Sequence, residues 1–402
     1  MRAPSHVGSS GHISPGLMIA LGYVSMAASL STDLYLPSFP GIAEHFAVGP
    51  SIVQLTLTAF MLGAALGQLV IGALSDALGR RPTLIVGLAV FAACACAAAI
   101  SPSIELLIAA RFVQGFAGSA GAVLARAVIA DLLPSAETAR AYGTLFVMIA
   151  LGPAVANPFG GWLTELGGWR TPLAGLAVLT AGMFAVAVLA VPESLPNGHR
   201  QRFHAGRLLG NLKRLACTPS FAGFAAAFGL AYAGMMAYIS ASSFIVQDVF
   251  GLSPLGYSLT FALSSATFMC GAWVSRRLVP RFGGVATLRV GQIVQLSASG
   301  LGIVLVLTGA FPFGAYLLVV TGFTCGTGLI MPTSSALAVA QAVGVVGAGS
   351  ALVGFSQFIF AAIGTPLGGL FGTGTALPTL IAMAGFALLS FVLAGVSIRR
   401  AR

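Results

Sequence analysis

Long apolar runs, separated by short polar punctuation, fill most of the chain. One set lies at about residues 13–37, 50–74, 83–101, 104–130, 141–163 and 170–192. A second lies at about 219–247, 255–275, 285–308, 312–340, 346–368 and 376–397. Each run comes close to or exceeds the ~20 apolar residues that an α-helix needs to cross a bilayer. A single long polar stretch, Glu193 to Pro219, divides the sets and carries Arg200, Arg202, Arg207, Lys213 and Arg214. The pattern predicts an all-α polytopic membrane protein of twelve transmembrane helices. It divides into a six-helix half over 1–192, a cytoplasmic basic linker over 193–218 and a second six-helix half over 219–402.

Composition removes the soluble alternatives. Of 402 residues, 57% are hydrophobic and 7% are charged, against about 25% charged in an ordinary soluble domain. Twelve spans leave only short loops, with no room for a separate soluble domain. The N-terminal run is too long for a signal-peptide core and contains an acid, so cleavage is not expected. The five cysteines (Cys94, Cys96, Cys217, Cys270 and Cys325) form no CxxC pair and read as small apolar residues.

The net charge of +10 would suggest nucleic acid in a soluble chain. The positions of the charges say otherwise. With the N-terminus inside, basic residues at inner loops and helix ends number 17: Arg2, Arg80, Arg81, Arg126, Arg140, the five linker bases, Arg276, Arg277, Arg281, Arg289, Arg399, Arg400 and Arg402. Only Arg170 falls outside. Four acids lie inside (Asp76, Asp131, Glu137, Glu193) and four outside (Glu44, Glu105, Glu165, Asp248). That asymmetry is the positive-inside signature of topology, and nucleic acid is not an expected partner. His6, His12, His199 and His204 lie in the tail or linker and His45 in an outer loop. None has metal-site spacing, so neither a metal nor an enzyme is expected.

Two charges remain within the spans, Asp33 near the outer end of the first and Arg111 about seven residues into the fourth. Ionisable groups there cost about 2.5–3.5 kcal/mol each on insertion scales, so they are functional or paired. Their depths are compatible, and the expectation is a pair in which Arg111 tunes proton binding at Asp33. A static ion pair between two helices, or an Asp33 that simply reaches the headgroups, is the alternative. No other charge falls in a span core of the second half. The small-residue pairs Gly63/Gly67, Gly115/Gly118, Gly322/Gly326 and Gly364/Gly368 suit close helix packing. Pro153, Pro158, Pro332 and Pro366 are expected to kink their helices. Gly72-Ala-Leu-Ser-Asp76-Ala-Leu-Gly79-Arg80-Arg81-Pro82 follows the second span, and Gly271-Ala-Trp-Val-Ser275-Arg276-Arg277 follows the eighth. This looks like the repeated-half layout of transporters.

These residues resemble a family. Gly72–Pro82 is similar to the loop 2–3 signature of the major facilitator superfamily, with Ala77 where a basic residue is commoner. Arg111-Phe-Val-Gln114-Gly115 resembles the fourth-helix R-x-x-Q-G signature associated with proton coupling. Thr32-Asp33-Leu-Tyr35-Leu36-Pro37 resembles the D-x-Y-L-P of the Bcr/CflA branch of drug:proton antiporters. Tyr238-Ile-Ser240-Ala-Ser242-Ser243-Phe244 resembles that branch's helix 7, with Ser243 where proline is usual. Trp169-Arg170 and Pro192-Glu193-Ser194 fall at familiar ends of helix 6. The antiporter motif of helix 5 is matched only loosely by Gly152-Pro153 through Asn157-Pro158-Phe-Gly160-Gly161.

The resemblance implies the major facilitator fold and proton-coupled export of small lipophilic drugs, chloramphenicol- or bicyclomycin-like, by alternating access in a bacterial inner membrane. Both termini would be cytoplasmic and the chain monomeric, with drug, protons and the bilayer as partners. The proton motive force would take the place of a cofactor. Asp33 and Arg111 would couple the proton. Ser29, Thr32, Tyr35, Gln114, Tyr232, Met236 and Tyr238 would line the cavity, and Gly72, Asp76, Gly79, Arg80 and Arg81 would form a gating turn. A metabolite exporter, of a sugar or nucleobase, is the alternative on the same fold. A receptor that has lost transport would not need Asp33 and Arg111.

Overall fold

The computed structural model describes residues 13–196, 205–342, 346–368 and 374–401. Arg2, His6, His12, His199, Arg200, Arg202, His204 and Arg402 lie outside the described residues, as do the side chains of Arg140, Arg207 and Arg400. Fifteen α-helices follow in order. The first six-span set contains α1 (Pro15–Ser25), α2 (Ala27–Asp33), a 3₁₀ turn (Leu36–Ser38), α3 (Phe39–Phe46), α4 (Pro50–Leu78), α5 (Arg80–Ala99), α6 (Ile104–Leu132), α7 (Ser135–Gly167) and α8 (Arg170–Ala190). The linker holds α9 (Ala205–Ala216). The second set contains α10 (Pro219–Phe244, running on into a π turn Ile245–Val249), α11 (Pro254–Phe282), α12 (Gly284–Leu307), α13 (Phe313–Ala340), α14 (Val346–Leu367) and α15 (Leu377–Ala401).

Nine described helices are long and apolar enough to cross a membrane, and the bent pair Pro15–Ser25 and Ala27–Phe46 makes a tenth crossing. Helices α7 and α11, of 33 and 29 residues, exceed the ~20 residues a crossing needs, and with them the twelve expected crossings are present. Alternate helix ends define a basic end, with Arg80, Arg81, Lys213, Arg214, Arg281 and Arg399, and an opposite end with Glu44, Glu105, Glu165 and Asp248.

The first crossing corrects the sequence reading. It does not stop near residue 37 but continues to Phe46, with a 41° bend between its two parts. Ser25 Oγ bonds back to Leu21 O at 2.6 Å, a contact that bends helices. Pro37 has no N–H to offer the carbonyl four residues earlier, Asp33 O. Asp33 therefore sits at a break near the middle of this crossing, not near its outer end.

Helix contacts are set by missing side chains. Helices α4 and α6 cross so closely that a Cβ on Gly63 would collide with the backbone of Phe112, and one on Gly115 with that of Phe60. Gly67 meets α6 in the same way at Phe116 O and Ser119, while Gly118 receives the ring of Phe91. Gly364 of α14 and Gly368 just after it lie against the carbonyls of Ala233 and Ala237, and Gly326 against Gly291 O. In a bilayer such packing carries much of the association that water would drive in a soluble protein. The prolines expected to interrupt spans do lie inside helices, Pro153 and Pro158 in α7, Pro332 in α13 and Pro366 in α14, and Pro280 in α11 joins them.

The repeat between halves shifts register in three dimensions. Helices α4 and α11 are both 29 residues long and end at glycines with positive φ, Gly79 (105°) and Gly283 (83°). Only glycine adopts that backbone readily. Arg276 and Arg277 consequently lie within α11, where Arg277 stacks on Trp273 with its guanidinium carbon 3.8 Å from the ring centroid.

Substitution Gly115→Ala should lower the thermal midpoint of the purified protein, with an overpacking cost of about 1–3 kcal/mol. Gly300→Ala, where a Cβ would meet nothing within 4 Å, should leave it unchanged. Scanning fluorimetry in detergent measures both.

Candidate functional site

The break in the first crossing leaves backbone carbonyls without helical partners, and side chains from other helices take them. In α6, Arg111 Nη2 donates to Ser31 O at 2.7 Å, and its Nη1 donates to Ser31 Oγ at 2.6 Å and to Gln114 Oε1. From α7, Asn157 Nδ2 donates to Asp33 O at 3.2 Å, the carbonyl that Pro37 leaves unserved. From the π turn after α10, Gln247 Nε2 donates to Pro37 O at 3.0 Å and to Ser243 Oγ at 2.7 Å. Ser243, which stands where the resembled family usually has proline, is used here as an acceptor.

Arg111 is fully buried. Its guanidinium carbon lies 4.4 Å from the ring centroid of Tyr35 and 4.5 Å from that of Phe60, cation–π contacts that partly replace water. It makes no ion pair with Asp33. Arg80, by contrast, forms ion pairs with Asp76 and with Asp131. The expected Asp33–Arg111 pair is thus replaced by two separate arrangements on one bent helix. The cation holds the turn before Asp33, and Asp33 itself is left without a cation. The physical reason is geometric: both terminal nitrogens of Arg111 are taken by Ser31 and Gln114, and Ser31 lies two residues before the carboxyl.

Asp33 is 5% exposed. Its Oδ1 accepts from Thr32 Oγ1 at 3.1 Å, and Thr32 also donates to Ser29 O. Tyr232 and Tyr257 lie within electrostatic range of the carboxyl. Across the bundle, Tyr238 pairs with Ser264 at 2.9 Å and Tyr257 with Ser242 at 3.2 Å, and Tyr257 also faces Asn157. Tyr316 lies next to Tyr238, its hydroxyl facing that of Tyr238.

Of the expected cavity residues, Thr32, Tyr232 and Tyr238 belong to this polar region. Tyr35 and Gln114 serve Arg111, and the hydroxyl of Tyr35 is tied to Thr56 Oγ1 at 3.0 Å. Ser29 turns back on Met26 O at 3.0 Å and packs on Gly152. Met236 is buried in the core. The sequence reading passed over Asn157, Tyr257, Tyr316 and Gln247. The available signal was a polar or phenolic group inside an apolar run, with Asn157 directly before Pro158. It also placed Arg126 among the inner helix ends. The residue is half-buried, about 9 Å inside α6 from its end, with its Nη2 3.5 Å from Gln68 Oε1.

The polar links between the two sets lie toward the opposite end. Gln247 reaches Pro37 O, Gln54 Nε2 donates to Ser240 O at 3.3 Å, and Leu255 N–H donates to Glu165 Oε1 at 3.1 Å. A Cβ on Gly161 would strike Ser258 and Pro254 O, and Phe39 and Phe244 bring their ring centroids within 6.0 Å. Asp33 lies on the basic-end side of this seal.

The turn at Gly79 forms a separate cluster. Arg80 Nε donates to Asp131 Oδ2 at 3.0 Å, and Nη1 reaches Asp76 Oδ1 and Ser75 Oγ. The Arg80 N–H donates to Glu193 Oε1 at 2.9 Å, and Ser194 Oγ donates to Asp131 Oδ2 at 2.8 Å. Arg81 Nη2 caps Val188 O at 2.8 Å, while Gly72 faces Val123 with room for a Cβ at ordinary contact distance. The cluster joins α4, α5, α6 and the segment after α8, all in the first set.

Comparison with known proteins agrees with this architecture. The family model described as Major Facilitator Superfamily matches residues 21–365. An uncharacterized MFS-type transporter of Bacillus subtilis is 32% identical over 368 residues, 90% of each chain. The bicyclomycin resistance protein homolog of Haemophilus influenzae is 27% identical over 375 residues, covering 93% of this chain and 94% of its own. Multidrug resistance protein D of Escherichia coli is 27% identical over 351 residues, covering 85% and 86%. Among solved structures, a bacterial homolog of the human lysosomal transporter Spinster superposes with a TM-score of 0.72 at 16% identity, covering 96% of this chain and 97% of that one. With twelve crossings and these relatives over most of its length, the chain is a multi-pass membrane transporter, not an enzyme, and belongs to the major facilitator superfamily, where it is similar to Bcr/CflA-type drug transporters.

Proposed function

We propose that the chain exports small lipophilic drugs in exchange for protons by alternating access. The six-helix halves 1–192 and 219–402 would rock about Asp33, joined by the linker 193–218. With the basic end toward the cytoplasm, as the positive-inside rule prescribes, the seal at the opposite end makes this the state closed to the outside. The relatives named for bicyclomycin and multidrug resistance support the substrate class.

The observation that carries the coupling reading is a buried carboxyl at the junction of the halves with no cationic partner. An isolated carboxylate out of water is costly unless paired, and binding a proton removes that cost. Proton binding therefore favours the enclosed state. Rearrangement of Asn157, Tyr257 and Gln247 as the seal opens would change the surroundings of Asp33 and let the proton exchange. Export against a gradient then draws about 2.3 kcal/mol per charge per 100 mV of membrane potential. Arg111 acts here as a positioning residue, fixing the break that presents Asp33. The phenol and hydroxyl groups of Tyr232, Tyr238, Tyr257 and Ser242 offer a neutral polar wall, suited to uncharged or singly cationic drugs.

In proteoliposomes, Asp33→Asn should abolish drug export driven by an imposed pH gradient while helix content is retained. Sustained uphill export by that variant would overturn the coupling role, and a protein that moves sugars or nucleobases but no drug of a chloramphenicol-like panel would overturn the substrate class. Arg111→Lys keeps the charge but loses the planar fork. It should cut transport at least about tenfold and lower the thermal midpoint, since Ser31 O or Gln114 Oε1 is left unserved at about 1–3 kcal/mol each. At the Gly79 turn, a double-mutant cycle of Arg80→Gln with Asp131→Asn should give a coupling of about 1 kcal/mol, as a partly exposed network would. Each single variant should slow export without changing drug affinity.

A further inference from the structure

The second set carries seven arginines toward its basic end in sequence, Arg276, Arg277, Arg281, Arg289, Arg399, Arg400 and Arg402, but after Glu193 the only acidic residue in the sequence is Asp248. Asp248 lies in the π turn at the far end of the bundle. No acidic side chain of this half can therefore neutralise them.

Two of these arginines frame a groove between α12 and α15 that encloses about 430 Å³, walled by Phe391, Val392, Gly395 and Val396. Arg289 is held in place on one side. Its Nη1 donates to Phe391 O at 2.7 Å and to Gln292 Oε1 at 3.2 Å, and its guanidinium carbon stands 4.1 Å from the Phe391 ring centroid. Gly395 makes room for the other side, because a Cβ there would lie 2.8 Å from Arg289 Nη2. Arg399 sits one helical turn further along the same face of α15 and is exposed. Val290, Ile293, Leu389, Val392 and Val396 are exposed on the same two helices and form an apolar surface running from the arginines toward the bilayer centre.

We propose that this groove binds an anionic phospholipid, its phosphate between Arg289 and Arg399 and its acyl chains along α12 and α15. Arg289 lies about 8 Å inside the start of α12, the depth of the phosphate and glycerol layer rather than of bulk water. A fixed guanidinium, a second exposed cation, no acidic side chain in this half nearby and an apolar wall match an amphiphile with a negative head. Basic pockets between transmembrane helices bind such headgroups.

Native mass spectrometry of the full chain in neutral detergent, with cardiolipin, phosphatidylglycerol, phosphatidylcholine or soluble glycerol phosphate added, tests the assignment. Cardiolipin and phosphatidylglycerol should remain bound, and phosphatidylcholine should not. Glycerol phosphate, which has the head without the chains, should bind far more weakly. Arg399→Gln should weaken retention roughly fivefold, and Arg289→Gln by a similar further factor. Gly395→Leu, which fills the groove and keeps both charges, should also displace the lipid, and it guards against Arg289→Gln acting through lost packing. Equal retention of phosphatidylcholine, glycerol phosphate binding as tightly as the intact lipids, or unchanged lipid binding in Arg399→Gln and Gly395→Leu proteins of normal thermal stability, would overturn the proposal.

Discussion

The structure depends on how the broken first crossing satisfies its backbone. Lipid offers no hydrogen bonds, so a carbonyl freed inside a membrane needs a protein partner. At Ser31, Asp33 and Pro37 those partners are Arg111, Asn157 and Gln247, from α6, α7 and the turn after α10. Three crossings, one of them in the second half, are thereby tied to the helix that bears the buried acid. Any movement that changes one of these bonds changes the setting of Asp33.

Arg111 and Asp33 solve the cost of charge in different ways. Arg111 is surrounded by acceptors and aromatic faces, so its charge is kept and its position fixed. Asp33 has a neighbouring hydroxyl and tyrosines in range but no cation, so its burial is left uncompensated by charge. The first arrangement gives rigidity, and the second leaves the carboxyl available for the proton exchange proposed for it. The close helix crossings at glycine support both, since the bonds to Ser31 O and Asp33 O require α6 and α7 to approach the first crossing. At Gly121 and Gly160 those two helices have no Cβ, and the backbones of Val24 and Leu34 fill the space.

The two ends of the bundle are specialised. Near the basic turns, Arg80 collects Asp76, Asp131 and Glu193 within one half. At the opposite end the polar links run between halves, through Gln54, Gln247 and Glu165. The half-buried Arg126 beside Gln68, close to Gly354 of α14, adds a charge to the basic-end side of the junction, where none was evident from helix periodicity.

The sequence by itself determined the number and order of crossings, the basic bias, the glycine contacts and the family signatures. These are local properties: apolar length, charge position and the absence of a side chain act wherever the helix goes. It also marked Asp33 and Arg111 as the two charges needing explanation. Their relation was decided only by tertiary structure. Whether an arginine meets a carboxylate one turn away or a freed carbonyl depends on where the helix breaks and which face α6 presents. Asn157, Tyr257 and Gln247 were equally out of reach, because their roles come from helices far apart in the chain meeting at one bend. The groove at Arg289 follows the same logic: the sequence shows arginines without acids, and the packing of α12 on α15 gives two of them a shape.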